Sequence, residues 1–241
     1  MSRAFSLVEL VLCVALIGVL VCLFMPHVYG SRRYAQELVS VSNLRSHAGV
    51  FATYAADEGD QFPFFTFPEA TLSVVRGGGV AVAIPHFQSF WTWNIALADN
   101  YFGGQVLPES LIIPWQRARD PVTMYWYGDC FVARPQYWRY ETRVLGPSQL
   151  RPTRASDVQF PSSKGLVLEA GWKLDAPGRG FYDAQRFSCV DGSARRYGQR
   201  ELQRPLMRGV GLVSGGGEFA GHVLGMPVMH TVGGVVGRDV R

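Results

Sequence analysis

Residues 5–25 read FSLVELVLCVALIGVLVCLFM, twenty-one positions carrying one charge, Glu9. At 1.5 Å per residue a helix of this length is about 30 Å long, the thickness of a bilayer's hydrocarbon core. The run is longer than the 7–15 apolar residues usual in a secretory signal peptide, and Val28-Tyr29-Gly30 is a poor small-x-small cleavage site. Arg3 precedes the run and Arg32-Arg33 follow it, so the flanking charges do not fix an orientation. Glu9 is the informative position. A carboxylate in a spanning helix costs about 2–3 kcal/mol at mid-bilayer and less near the end, so such a group is either paired and functional or close enough to the surface to reach headgroups.

Outward from this block, Tyr34, Leu38, Val41, Leu44, Ala48, Phe51 and Ala55 recur in steps of three and four, the face of a helix. Arg33, Gln36, Glu37, Asn43, Arg45 and His47 fall on the other side, and Gly59 and Pro63 end the pattern. The reading is a helix from Phe5 to about Asp57, roughly 80 Å long, bent or interrupted at Pro26 and Gly30. Beyond it, Gly77-Gly78-Gly79 reads as a loop without phosphate-loop chemistry. Phe90 to Ala98 reads as a short helix with core aromatics. Met124 to Ala133 and Gly165 to Glu169 read as strands. Arg186 to Tyr197 reads as a hairpin turning at Asp191-Gly192. The expected fold class is α+β, an antiparallel sheet laid on the outer half of a long helix.

The 241 residues are 48% hydrophobic and 17% charged with a net charge of +4, which excludes a disordered or collagen-like chain. Lys164 and Lys173 are the only lysines, and no dense basic run marks a nucleic-acid surface. Of four cysteines, Cys13 and Cys22 lie in the apolar run. Cys130 and Cys189 lie beyond it and are candidates for a disulfide if that part is outside the cytoplasm, a closure worth about 4 kcal/mol. No Cys-x-x-Cys occurs, and none of His27, His47, His86, His222 and His230 stands four residues from another. No Gly-x-Ser-x-Gly frames a serine. No catalytic residues and no metal ligands are assigned.

Ala4-Phe5-Ser6-Leu7-Val8-Glu9-Leu10 with its apolar run resembles the prepilin cleavage and methylation motif of type IV pilins and type II secretion pseudopilins. The resemblance implies cleavage between Ala4 and Phe5 by a membrane prepilin peptidase, methylation of the new amine, and an assembly role for Glu9. Pro26 falls where that family often bends its helix, while Ala4 stands where the family usually has Gly. Tyr54 to Pro63, Ala155 to Glu169 and Phe187 to Ser193 are similar, more loosely, to the helix end, the proline-serine run with its strand, and the C-terminal Asp-Gly hairpin of such proteins. Their usual His about ten residues before Asp-Gly is absent, with Asp183 and Arg186 in its place.

The implied organisation is a leader at 1–4, an assembly helix at 5–25, its amphipathic continuation at 26–58, and a pilin-like α+β domain at 59–204. Residues 205–241, Gly- and Val-rich, read as a mobile tail or an extra edge hairpin. The implied function is a structural subunit, a minor one by its length, of a pilus or pseudopilus rather than an enzyme. It would be single-pass in the inner membrane with its domain outside the cytoplasm. Its implied partners are the prepilin peptidase, other pilin or pseudopilin subunits, the inner-membrane assembly platform and the lipid bilayer. A pilin-like module for DNA uptake or adhesion, using Arg195 and Arg196 on phosphates, and an unrelated single-span anchored domain are the alternatives. No cofactor is expected. Some pseudopilins bind calcium near the hairpin, but Asp175, Asp183 and Asp191 supply only part of the six to eight oxygens it needs and read better as solvated loop acids.

Overall fold

Helix α1 runs unbroken from Leu7 to Asp57 in the computed structural model, through Pro26 and Gly30. The structure describes residues 7–64, 72–76, 80–84, 86–115, 123–144, 147–169, 184–204, 206, 213–214, 217–218 and 228–241. The interruption expected at Pro26 and Gly30 does not occur. Proline removes one helical donor, and the helix continues through that single loss on both sides. The chain divides into two compact units, Met1–Val39 and Ser40–Arg241.

In the second unit α1 buries Ser40, Leu44, His47, Ala48, Phe51 and Ala55. These steps of one, three and four are one face of a helix. His47 belongs to that face and not to the polar side where periodicity placed it. Its ring lies 4.9 Å from Tyr125 and 5.5 Å from Trp93, centroid to centroid, and its Nε2–H donates to the Ser110 carbonyl at 3.0 Å. The helix ends on two consecutive positive-φ residues, Gly59 (63°) and Asp60 (71°). The Asp60 carboxylate then accepts from the backbone N–H and the hydroxyl of Ser156 at 3.2 and 2.5 Å, which fastens the helix end to the 3₁₀ turn Ala155–Asp157.

Strands β1 (Leu72–Arg76) and β2 (Val80–Ile84) form an antiparallel pair, Arg76 opposite Val80, flanking the expected Gly77–Gly79 loop, which lies outside the described residues. A 3₁₀ turn, His86–Trp91, leads into α2 (Trp93–Tyr101), and Phe90, Trp93 and Leu97 are core residues. The main sheet holds β3 (Tyr125–Tyr127), β4 (Gly165–Glu169), β5 (Ala184–Cys189) and β6 (Ala194–Gly198), antiparallel and in sequence order. The strand expected over 124–133 is only its first part. At Gly128 the chain leaves the sheet and turns through the 3₁₀ segment Asp129–Phe131, which the Gly128 carbonyl closes by accepting from Phe131 N–H.

Side-chain alternation sorts the sheet into two hydrophobic clusters. Tyr125, Tyr127 and Val167 pack with Leu44, Ala48 and Phe51 of α1. Trp126, Leu168, Phe187 and Tyr197 pack with Phe90, Val228, Met229 and Val240. All five residues of β4 are buried because both of its faces are covered. A polar knot ties α1 to this sheet: Ser40 and Arg186 donate to the Glu169 carboxylate at 2.5 and 3.0 Å, and Asn43 donates to the Tyr125 hydroxyl at 3.3 Å.

The C-terminal region divides. β7 (Val213–Ser214) and β8 (Gly217–Glu218) form a small hairpin of their own, not an edge of the main sheet. Residues 228–241 are not a mobile tail. Val228, Met229, His230, Thr231, Val235 and Asp239 are buried, Leu202 bridges Val240, and Leu206 N–H donates to the His230 carbonyl at 2.8 Å. The cause is side-chain complementarity: Val228 presses on the bare Cα of Gly165, where an added Cβ would come within 2.6 Å of Val228 Cγ1.

Candidate functional site

The described side chains of α1 from Leu7 to Tyr29 are all exposed, including Leu7, Val11, Ile17, Leu20, Phe24 and Tyr29. By length and composition α1 can cross a membrane. Glu9 lies in its first turn. Ala4 and Phe5, the expected processing site, lie outside the described residues, and so does the side chain of Pro26. Cys13 and Cys22 are exposed free thiols. A continuous apolar surface of this kind is stable only when lipid or other protein covers it.

Cys130 and Cys189 are free and buried, not bridged. Each belongs to a different hydrophobic cluster and has its own partner, the Val228 carbonyl for Cys130 (3.5 Å) and the Tyr197 hydroxyl for Cys189 (3.2 Å). Burial pushes the Cys130 thiol up to about 11, so it is a packing group and not a nucleophile. Asp191 is used locally, its carboxylate accepting from Ser193 N–H and Oγ at 2.9 and 2.6 Å. Asp175 and Asp183 lie outside the described residues, and among the described residues no group of three metal-ligating side chains occurs.

Two buried polar pairs went unread in the sequence. Lys164 is wholly buried and donates to Asp239 at 2.8 Å and to the Thr231 hydroxyl. Asp239 also accepts from Gly165 N–H at 2.9 Å and Thr231 Oγ1–H at 2.5 Å. Burial works against the ammonium, but Asp239 and then Cys130 outweigh it, and the Lys164 pKa is raised. Asp129 faces His230 at 3.4 Å, both buried. Burial lifts the Asp129 carboxyl to about 6, and His230 opposes the shift. Both pairs join the body of the domain to residues 228–241. The sequence offered one faint signal, one of only two lysines standing immediately before the apolar strand Gly165–Glu169.

At the free edge of β6 a cleft of about 430 Å³ is lined by Arg45, Ser162, Ser163, Ser193, Ala194, Arg195, Tyr197, Val240 and Arg241. Four segments remote in sequence meet there. Arg45 of α1 is held by donating to the Ala194 carbonyl at 3.3 Å. Arg195 pairs with Glu201 at 2.8 Å and lies over the Tyr197 ring, 4.2 Å from its centroid. Arg241 is anchored through its N–H to the Glu201 carbonyl at 2.9 Å, and Val240 through its N–H to the Ser163 carbonyl at 3.2 Å. No family model matches the chain, and no curated protein or solved structure matches it either.

Proposed function

We propose that the protein is a pilin-like structural subunit, inserted in the inner membrane by α1, trimmed between Ala4 and Phe5, and assembled into a fibre through that helix. The observation that carries this reading is the uncovered apolar stretch Leu7–Tyr29, opening with Glu9, on a helix whose continuation past Ser40 is built into a folded α+β domain. Cleavage before Phe5 creates an α-amino cation at the apolar end of the helix. In a lipid medium an unpaired charge is costly, so the amine of one copy and Glu9 of the next stabilise each other. Their axial offset sets the register of the fibre, as buried polar groups set register in other helical assemblies. The domain is the exposed head of the subunit, and its role is structural.

Mass spectrometry of the native N-terminus tests the processing step. The expected product begins at a methylated Phe5, and a chain that keeps Met1 or Ser2 reduces the protein to a single-span anchored domain. Glu9→Ala tests assembly separately. Cleavage should proceed, while incorporation into sheared fibre fractions should be lost. Normal incorporation of that variant would remove the assembly role of Glu9.

A further inference from the structure

We propose that the cleft at the edge of β6 is a binding site for a small oxyanion, a phosphate group free or carried on a small molecule. Its position follows from the fold. β6 is the edge strand of the main sheet, and its free side is not occupied by a fifth strand among the described residues. Arg45 from α1, the Ser162-Ser163 turn, the β5–β6 hairpin and Val240-Arg241 close around that side. Three arginines and three serines therefore line one cleft, in a volume within the usual range for small-molecule pockets.

The chemistry selects the ligand. A guanidinium offers five N–H donors in a planar fork that matches a tetrahedral oxyanion. Arg45 and Arg195 are both held in place by the protein, one by the Ala194 carbonyl, the other by Glu201 and the face of Tyr197. Most of their donors are left over, and the cost of ordering these side chains is met before a ligand arrives. Ser162 and Ser163 line the same cleft, and their hydroxyls can donate to a third oxygen. Ser193 donates to Asp191 and retains its acceptor lone pairs, which suit the proton of a monoanion. Among the described residues, Glu201 and Asp191 are the acids whose carboxylates bond to the arginines and serines of the cleft. Glu201 is neutralised by Arg195, whereas Asp191 keeps its charge although Ser193 bonds it, so three arginines against two carboxylates leave the cleft one positive charge in excess.

The site is confined rather than extended. Arg45, Arg195 and Arg241 line a single cleft, whereas a polymer needs a track of them. A small phosphorylated molecule is therefore favoured over a nucleic-acid strand or a membrane surface.

The test uses the full chain in non-ionic detergent, with melting followed against inorganic pyrophosphate at constant ionic strength. Pyrophosphate should raise the melting temperature saturably, and chloride at equal ionic strength should not. Arg45→Ala with Arg195→Ala should weaken the apparent affinity at least about tenfold, the effect of losing roughly one charge-assisted contact. Ser162→Asp, an exposed position that places a carboxylate in the cleft, should abolish the shift without lowering the melting temperature of the free protein. Arg196→Ala, on the same strand but outside the cleft, should leave it unchanged. An equal shift in wild type and double variant overturns the site. So does a response confined to single-stranded oligonucleotide or to phosphatidylglycerol vesicles, with none to pyrophosphate.

Discussion

Lys164 is a fully buried cation, and its neighbours explain why that is tolerable. Asp239 supplies the counter-charge, Thr231 a further acceptor, and the Phe131 ring lies 5.6 Å from the ammonium. Removing one partner of such a pair leaves the other charged and buried. Lys164→Met should therefore destabilise the domain by about 3–5 kcal/mol. Adding Asp239→Asn should recover part of that loss, because Asn still accepts from Gly165 N–H and no charge remains. Chemical denaturation of both variants measures the difference. Two other buried groups set opposing pH dependences. Asp129 is lifted from 3.8 to about 6, so its contribution is complete below pH 3.8 and is lost as pH rises to about 6. His47 is lowered by burial from 6.5 to about 4, against the opposing bond to Ser110, so its contribution is complete above pH 6.5 and is lost as pH falls to about 4. Between pH 4 and 6 the two offset each other. Asp129→Asn should expose the histidine alone, giving a stability that falls by about 3 kcal/mol from pH 6.5 to 4. A profile as flat as that of the wild type would remove His47 from this role.

At the scale of elements, α1 ends where the backbone turns left-handed. A Cβ at Gly59 would touch nothing within 4 Å, yet its φ of +63° disfavours any L side chain. Gly59→Ala should cost about 1 kcal/mol through conformation alone. The signature is a lower denaturation midpoint with an unchanged slope. This helix end was legible in the sequence because glycine and proline punctuation is local. The β5–β6 hairpin was legible for the same reason: Asp191-Gly192 specifies its turn and Gly192 adopts φ +84°. The buried face of α1 was only partly legible. Three- and four-residue spacing identified Leu44, Ala48, Phe51 and Ala55, but His47 and Ser40 are polar letters on the same face, and only their distant partners Ser110 and Glu169 make burial acceptable. The length of β3 was hidden too. Its apolar letters resume past Gly128 at Cys130 to Ala133, where a 3₁₀ turn replaces pairing. The cleft at β6 was invisible, since Arg45, Ser162, Arg195 and Arg241 become neighbours only in the folded domain.

For the molecule as a whole, residues 228–241 complete both clusters of the core. Val235 joins the one against α1, and Val228, Met229 and Val240 the one on the other face of the sheet. Deleting residues 228–241 should therefore abolish the cooperative unfolding transition of the domain while α1 keeps its helical circular-dichroism signal in detergent. A truncated chain that melts at the wild-type temperature would make this segment peripheral. The segment's chemistry also imposes an order on biosynthesis. Lys164 leaves the ribosome long before Asp239, so a nascent chain carries a lysine whose only proper burial site is unfinished. The domain must stay open until residues 228–241 emerge, and a product stalled before them should remain digestible by protease where the folded domain is not.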